Sequence, residues 1–82
     1  MADNKKIASD VLAAVGGTAN ISDVAHCVTR LRFTLKDQNI PLDYEVKKIP
    51  GVLGVVRSGG QYQVIIGQNV TKVYDEVCGM GS

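Results

Sequence analysis

The amino-acid sequence predicts an α+β domain: a four-stranded antiparallel sheet with three helices packed on one face, in the order α-β-β-α-β-β-α. Three observations predict it. The run from Arg30 to Lys36 alternates apolar and polar residues with period two, the mark of a strand buried on one side. Three other segments each gather their apolar residues on one helical face. The β-rich runs come in two pairs with joins short enough for hairpins, which makes the pairing antiparallel.

The elements follow in order. Asn4 to about Val15 reads as a helix, with Ile7, Val11, Leu12 and Val15 on one face and Asp3 or Asn4 able to cap its start. Gly16-Gly17 ends it. A short strand is expected from about Ile21 to Ala25. In the next strand Leu31, Phe33 and Leu35 face the core, and Arg30, Arg32, Thr34 and Lys36 face out. So few residues separate these strands that they form a hairpin, with Cys27 at or beside its tip. Pro41 stands where a second helix can begin, and Leu42, Val46 and Ile49 keep helical spacing as far as Pro50. Gly51–Val56 and Gln61–Ile66 are strands joined at Arg57-Ser58-Gly59-Gly60. Gly67 breaks the last strand. Asn69 can cap a closing helix that carries Val70, Val73, Tyr74 and Val77 on one face. Arg32, Thr34, Lys36 and Gln61 or Gln63 leave the other face of the sheet wet.

The chain has 82 residues, room for one domain over 1–82, with 79–82 expected as a flexible end or linker stump. Nine Lys or Arg against eight Asp or Glu give a net charge of +1. That balance argues against tight nucleic-acid binding, so functional positive charge must be local. No apolar run is long enough to cross a bilayer and no signal peptide is read, which implies a reducing compartment and free thiols at Cys27 and Cys78.

Cys27 is the candidate reactive centre. A free cysteine is most often a small buried hydrophobe, but this one sits at a turn, after His26 and shortly before two arginines. Arg30 and Arg32 are two residues apart on a strand, so their side chains leave the same face roughly 6–7 Å apart. Guanidiniums beside a thiol favour its thiolate and offer forked donors that match phosphate oxygens. A turn after Cys27 also directs backbone N–H groups and the Thr29 hydroxyl toward an anion. On these grounds Cys27, Thr29, Arg30 and Arg32 form a phosphoryl cradle, set against the plainer reading of a solvated strand face. Other cysteine sites fail on spacing. The phosphatase loop Cys-x5-Arg meets Phe33 where Arg is required, the thioredoxin motif meets Arg30 where the second Cys is required, and one His with one adjacent Cys does not make a zinc site. His26, the one histidine, can tune the thiolate or remain a polar turn residue. Cys78 reads as packing or an incidental surface thiol.

The run His26-Cys27-Val28-Thr29-Arg30-Leu31-Arg32-Phe33 resembles the phosphorylation-site motif of enzyme IIB domains of the bacterial sugar phosphotransferase system, glucose–glucoside–sucrose class. Gly16-Gly17 with Asn20-Ile21, then Ile49-Pro50-Gly51-Val52-Leu53-Gly54-Val55 and Gln61-Tyr62-Gln63-Val64-Ile65-Ile66-Gly67, resemble its other signatures in order. The resemblance implies an enzyme, a phosphocysteine–sugar phosphotransferase. Cys27 would accept a phosphoryl group from a phosphohistidine on a IIA domain and pass it to a sugar held by a membrane-embedded IIC domain. Thr29, Arg30 and Arg32 would hold the group in transit. No metal or other cofactor is implied, the sugar is met only through IIC, and the place of work is the cytoplasmic face of the bacterial membrane. His-Cys before Thr-Arg-Leu-Arg-Phe, with Lys36-Asp37 after, looks most like the β-glucoside, sucrose and trehalose branches, with β-glucosides preferred. Two competing readings are a IIB-like regulatory module whose phosphorylation state controls a partner, and a small RNA-binding domain using Arg30, Arg32, Lys36 and Arg57. The second sits poorly with the near-neutral charge.

Overall fold

The structure is a computed structural model that describes residues 4–81. It contains α1 (Asn4–Ala14), a 3₁₀ turn (Thr18–Asn20), β1 (Ile21–His26), β2 (Arg30–Leu35), α2 (Asp43–Lys47), β3 (Gly54–Ser58), β4 (Gln61–Ile65) and α3 (Val70–Gly81). The expected α-β-β-α-β-β-α order is the observed one. The sheet runs β1-β2-β4-β3 with every neighbouring pair antiparallel. The two hairpins therefore lie side by side, and β2 and β4 meet at the centre.

Parity along the strands sets the layers. Leu31, Phe33 and Leu35 of β2 and Tyr62 and Val64 of β4 are buried on one face. Ile7, Ala8, Val11 and Leu12 of α1 and Val70, Val73 and Val77 of α3 close over them, with α1 against α3. Burying each such side chain is worth about 1.5–3 kcal/mol. The other sheet face carries Arg30, Arg32, Thr34, Gln61 and Gln63, all half-buried.

Several boundaries differ from expectation, each for a local reason. Asn4 is already helical, and its Oδ1 is buried without a hydrogen-bond partner among the described residues, so it is not the cap. A cap must stand one residue before the helix, in extended backbone. Asp3 lies outside the described residues. The second helix is one short turn, since Leu42 stays extended and its carbonyl accepts the N–H groups of Glu45 and Val46. Gly51 has φ +101°, which breaks the extended run, so β3 starts only at Gly54. Arg57 and Ser58 belong to β3, and the hairpin turn is Gly59-Gly60 alone, with φ +57° and +78°. Positive φ at both positions matches the strands' right-handed twist and is cheap only for such residues. Gly79–Gly81 continue α3 where a loose end was expected.

Two polar clusters fasten this frame. Asn20 is 6 % exposed, and its Nδ2 donates to the carbonyls of Val15 (2.7 Å) and Asp37 (2.9 Å), while its Oδ1 accepts the Asp37 N–H at 2.8 Å. One side chain thus ties the end of α1 to the exit of β2. At the opposite sheet edge, Asp43 Oδ1 accepts from Tyr62 Oη (3.1 Å) and pairs with Arg57 Nη2 (3.0 Å). Arg57 also donates to the carbonyls of Gln38 and Pro41 and lies over the Tyr62 ring.

Two outcomes follow from these clusters. Asn20→Ala strands three backbone groups and should cost about 2–4 kcal/mol in chemical denaturation. Asn20→Asp, nearly isosteric, should also destabilise, because a carboxylate would face two carbonyls. Burial, with the hydrogen bond to Asp43 second, pushes the Tyr62 phenol well above its ordinary value of 10.0. A raised folded pKa keeps its stabilising effect below the unfolded value. Unfolding free energy should therefore hold up to about pH 10 and fall above it. Tyr62→Phe should flatten that alkaline fall while costing about 1 kcal/mol at neutral pH.

Candidate functional site

The site is built at the tip of the β1–β2 hairpin. His26 pairs with Leu31, and the Cys27 N–H then donates to the Arg30 carbonyl at 2.8 Å, so Val28 and Thr29 make the turn. Val28 is 85 % exposed and Cys27 is exposed as well. The tip does not float. The Thr29 carbonyl accepts two N–H groups, from Ile66 (2.8 Å) and Gly67 (2.9 Å), which bind it to the end of β4. Gly67 has φ +97°, the left-handed region that aims its N–H there at no steric cost. The N–H groups of Val28 and Thr29 have no protein acceptor among the described residues.

Strand parity brings thiol and guanidinium together. Ala25 stands opposite Arg32, so both face the open side of the sheet. Cys27, two residues on, returns to that side, diagonal to Arg32 and within side-chain reach. Arg32 Nη1 lies 3.5 Å from Cys27 Sγ. Arg30 leaves the same face, one alternation away. Of the expected neighbours, Cys27 and Arg32 are thus in contact, and Arg30 shares their sheet face. What Thr29 contributes here is its carbonyl, as the anchor.

His26 takes the other side. Its ring packs on Tyr74 of α3, with centroids 4.5 Å apart and planes at 54°. Nδ1 is 2.9 Å from the Cys27 carbonyl, which can only accept, so Nδ1 carries the hydrogen. His26 therefore reaches the backbone of Cys27 and not its sulfur. Cys78 is exposed, and its contact with the Tyr74 hydroxyl holds that phenol above its ordinary value.

Two further residues belong to the site. Gln63 Oε1 accepts from Arg30 Nη1 at 2.9 Å, and Gln61 Oε1 accepts from Arg32 Nε at 3.0 Å. In the sequence they are visible only as polar positions of a later strand. The β2–β4 register, Arg32 opposite Gln63 and Arg30 opposite Ile65, makes both contacts diagonal. Among the described residues neither arginine is in an ion pair. No group of three His, Cys, Asp or Glu side chains among them is placed to hold a metal ion. What remains is an exposed thiol with the fixed Arg32 guanidinium at its sulfur and that of Arg30 on the same sheet face, neither in an ion pair among the described residues, a geometry that suits a nucleophile handling a tetrahedral dianion.

Known proteins share this fold and much of this sequence. A family model for the phosphotransferase system, EIIB, matches residues 9–40. A solved domain of the phosphotransferase system IIabc component from Clostridium difficile superposes with a TM-score of 0.88 at 42% identity, covering 98% of this chain and 87% of that one. Among curated proteins, the arbutin-, cellobiose-, and salicin-specific EIIBC component of Escherichia coli is 55% identical over 71 residues, 87% of this chain. The beta-glucoside-specific EIIBCA component of Halalkalibacterium halodurans is 44% identical over 77 residues, 94% of this chain. The chain spans only 15% and 12% of the length of these two relatives.

The anchoring of the tip has a measurable consequence. Gly67→Ala puts a Cβ at φ +97°, and should cost about 1–3 kcal/mol. Hydrogen exchange should quicken at the amides of Ile66 and position 67, the two that hold Thr29, ahead of the sheet centre.

Proposed function

Because the chain belongs to the EIIB family of the phosphotransferase system, we propose that it is a phosphoryl carrier with Cys27 as the phosphocysteine. The observation that carries the reading is Arg32 Nη1 at 3.5 Å from an exposed Sγ, with Arg30 on the same face. In the loading step the sulfur attacks the phosphorus of a phosphohistidine on a IIA domain. An S–P bond forms as the N–P bond breaks. In the second step a hydroxyl oxygen of a sugar bound by a IIC domain attacks the same phosphorus, and the sulfur leaves as thiolate. Such transfers need positioning and charge stabilisation above all. Arg30 and Arg32 supply both, and the turn at Val28-Thr29 supplies backbone donors.

The exposure of Cys27 fits this task. A carrier that meets two partners in turn cannot keep its nucleophile in a cleft. No helix among the described residues is long and apolar enough to cross a membrane. In this reading the sugar is met through IIC, at the cytoplasmic face of the membrane. Its class is a β-glucoside or related disaccharide, a reading supported by the specificities for which the two curated relatives are named. The unit is a single IIB domain over 1–82.

Incubation with phosphoenolpyruvate, the general phosphotransferase proteins and a cognate IIA should add one phosphoryl group, read by intact mass. Cys27→Ser should abolish it. A gain that survives Cys27→Ser, or that moves to His26, would refute the assignment. Arg32→Ala and Arg30→Ala should slow onward transfer to sugar by roughly 10²-fold, the cost of removing one preorganised donor, and slow loading less.

A further inference from the structure

The three arginines of the sheet are held in two different ways. Arg57 is bound as a structural arginine: one carboxylate, two backbone carbonyls and the face of an aromatic ring. Its charge is matched by Asp43. Arg30 and Arg32 are held just as definitely, yet their side-chain partners are the amide oxygens of Gln63 and Gln61. A carboxylate in either place would make a stronger hydrogen bond to a guanidinium. It would also cancel the charge. A neutral amide fixes the guanidinium plane and leaves the charge in place.

The bonds are also spread so that donors remain. Gln61 takes Nε of Arg32, the inner edge of the fork, and Nη1 is left to reach Cys27 Sγ. Gln63 takes Nη1 of Arg30, which leaves Nε and Nη2 with no side-chain acceptor among the described residues. Both glutamines stand on β4, which also carries the tip through Ile66, Gly67 and the Thr29 carbonyl. One strand therefore sets the height of the thiol and the aim of both cations.

We infer that Gln61 and Gln63 are positioning residues: their neutral oxygens fix Arg32 against the sulfur and Arg30 on the same sheet face, while keeping the pair's positive charge uncompensated for the phosphoryl group. The inference rests on the phosphoryl-carrier reading for its purpose but not for its test. Gln61→Glu and Gln63→Glu preserve shape and acceptor and add one negative charge each. A merely structural role would be kept or strengthened by them. A role in poising charge would be lost.

The first readout needs no phosphotransferase partner. Cys27 is alkylated with iodoacetate, an anion, and with iodoacetamide, its neutral analogue, on a Cys78→Ser background at low ionic strength. Wild type should favour iodoacetate relative to a free thiol. Each Glu variant should lower the iodoacetate-to-iodoacetamide rate ratio about threefold, the effect of one screened unit charge nearby, with the melting temperature unchanged. The second readout is phosphoryl loading, which should fall in parallel. Gln61→Met with Gln63→Met, which removes the acceptors without adding charge, should also slow loading by releasing both guanidiniums. Rate ratios and loading at wild-type level in the Glu variants would overturn the inference while leaving the carrier reading intact. So would a lowered melting temperature in both. Absence of loading in wild type, with the ratio still falling in the Glu variants, would sink the carrier reading and leave the positioning of charge standing.

Discussion

The carbonyl of Thr29, shared between the N–H groups of Ile66 and Gly67, is the constraint on which the site depends. A hairpin tip is ordinarily the loosest part of a sheet. Here the tip carries Cys27, the proposed nucleophile, and two hydrogen bonds from the far hairpin hold it down. Each is worth about 1 kcal/mol net, enough to hold a short turn in one place. The arrangement is possible only because the strand order sets β2 beside β4. Had the hairpins packed with another pair of strands at the centre, Cys27 would have hung free and the arginines would have lacked their glutamines.

That central pairing divides the domain by face. Toward the helices, β2 and β4 offer Leu31, Phe33, Leu35, Tyr62 and Val64 to the core. Toward solvent, the same two strands offer Arg30, Arg32, Gln61 and Gln63. Each of these strands therefore serves stability with every second residue and chemistry with the others. Asn20 and the Tyr62–Asp43–Arg57 cluster close the two ends of the sheet on the helix side. Neither cluster contributes a side-chain hydrogen bond to Cys27.

Much of this was legible in the order of residues, and the failures have two causes. The alternation from Arg30 to Lys36 identified a one-sided strand, and its parity put both arginines on the wet face. The short span between two strands put Cys27 at the tip. These are local signals, read within a few residues. The roles of Gln61 and Gln63 were not legible, since they exist only through the register of β4 against β2, and no local pattern encodes a register between distant strands. Asn20 was seen as part of a motif, but its grip on Val15 and Asp37 again joins segments far apart. The shortness of α2 and the late start of β3 have a different origin. Helical spacing and β-propensity both ran on past points where the backbone turns, at Leu42 and at Gly51.

The separation of faces bears on how such a site can vary. In a thicker domain a phosphate site would be a pocket, and its residues would also be core residues. Here the proposed cradle lies on a half-buried sheet face, so its charges are only partly desolvated and gain strength from number and aim rather than burial. A single guanidinium in water discriminates little between an anion and solvent. Two that are fixed in direction, with no ion-pairing carboxylate among the described residues, concentrate a field where the proposed phosphoryl dianion would sit. Fixing them without neutralising them is the condition the sheet has to meet. Amide oxygens one strand away meet it without any change to the core beneath.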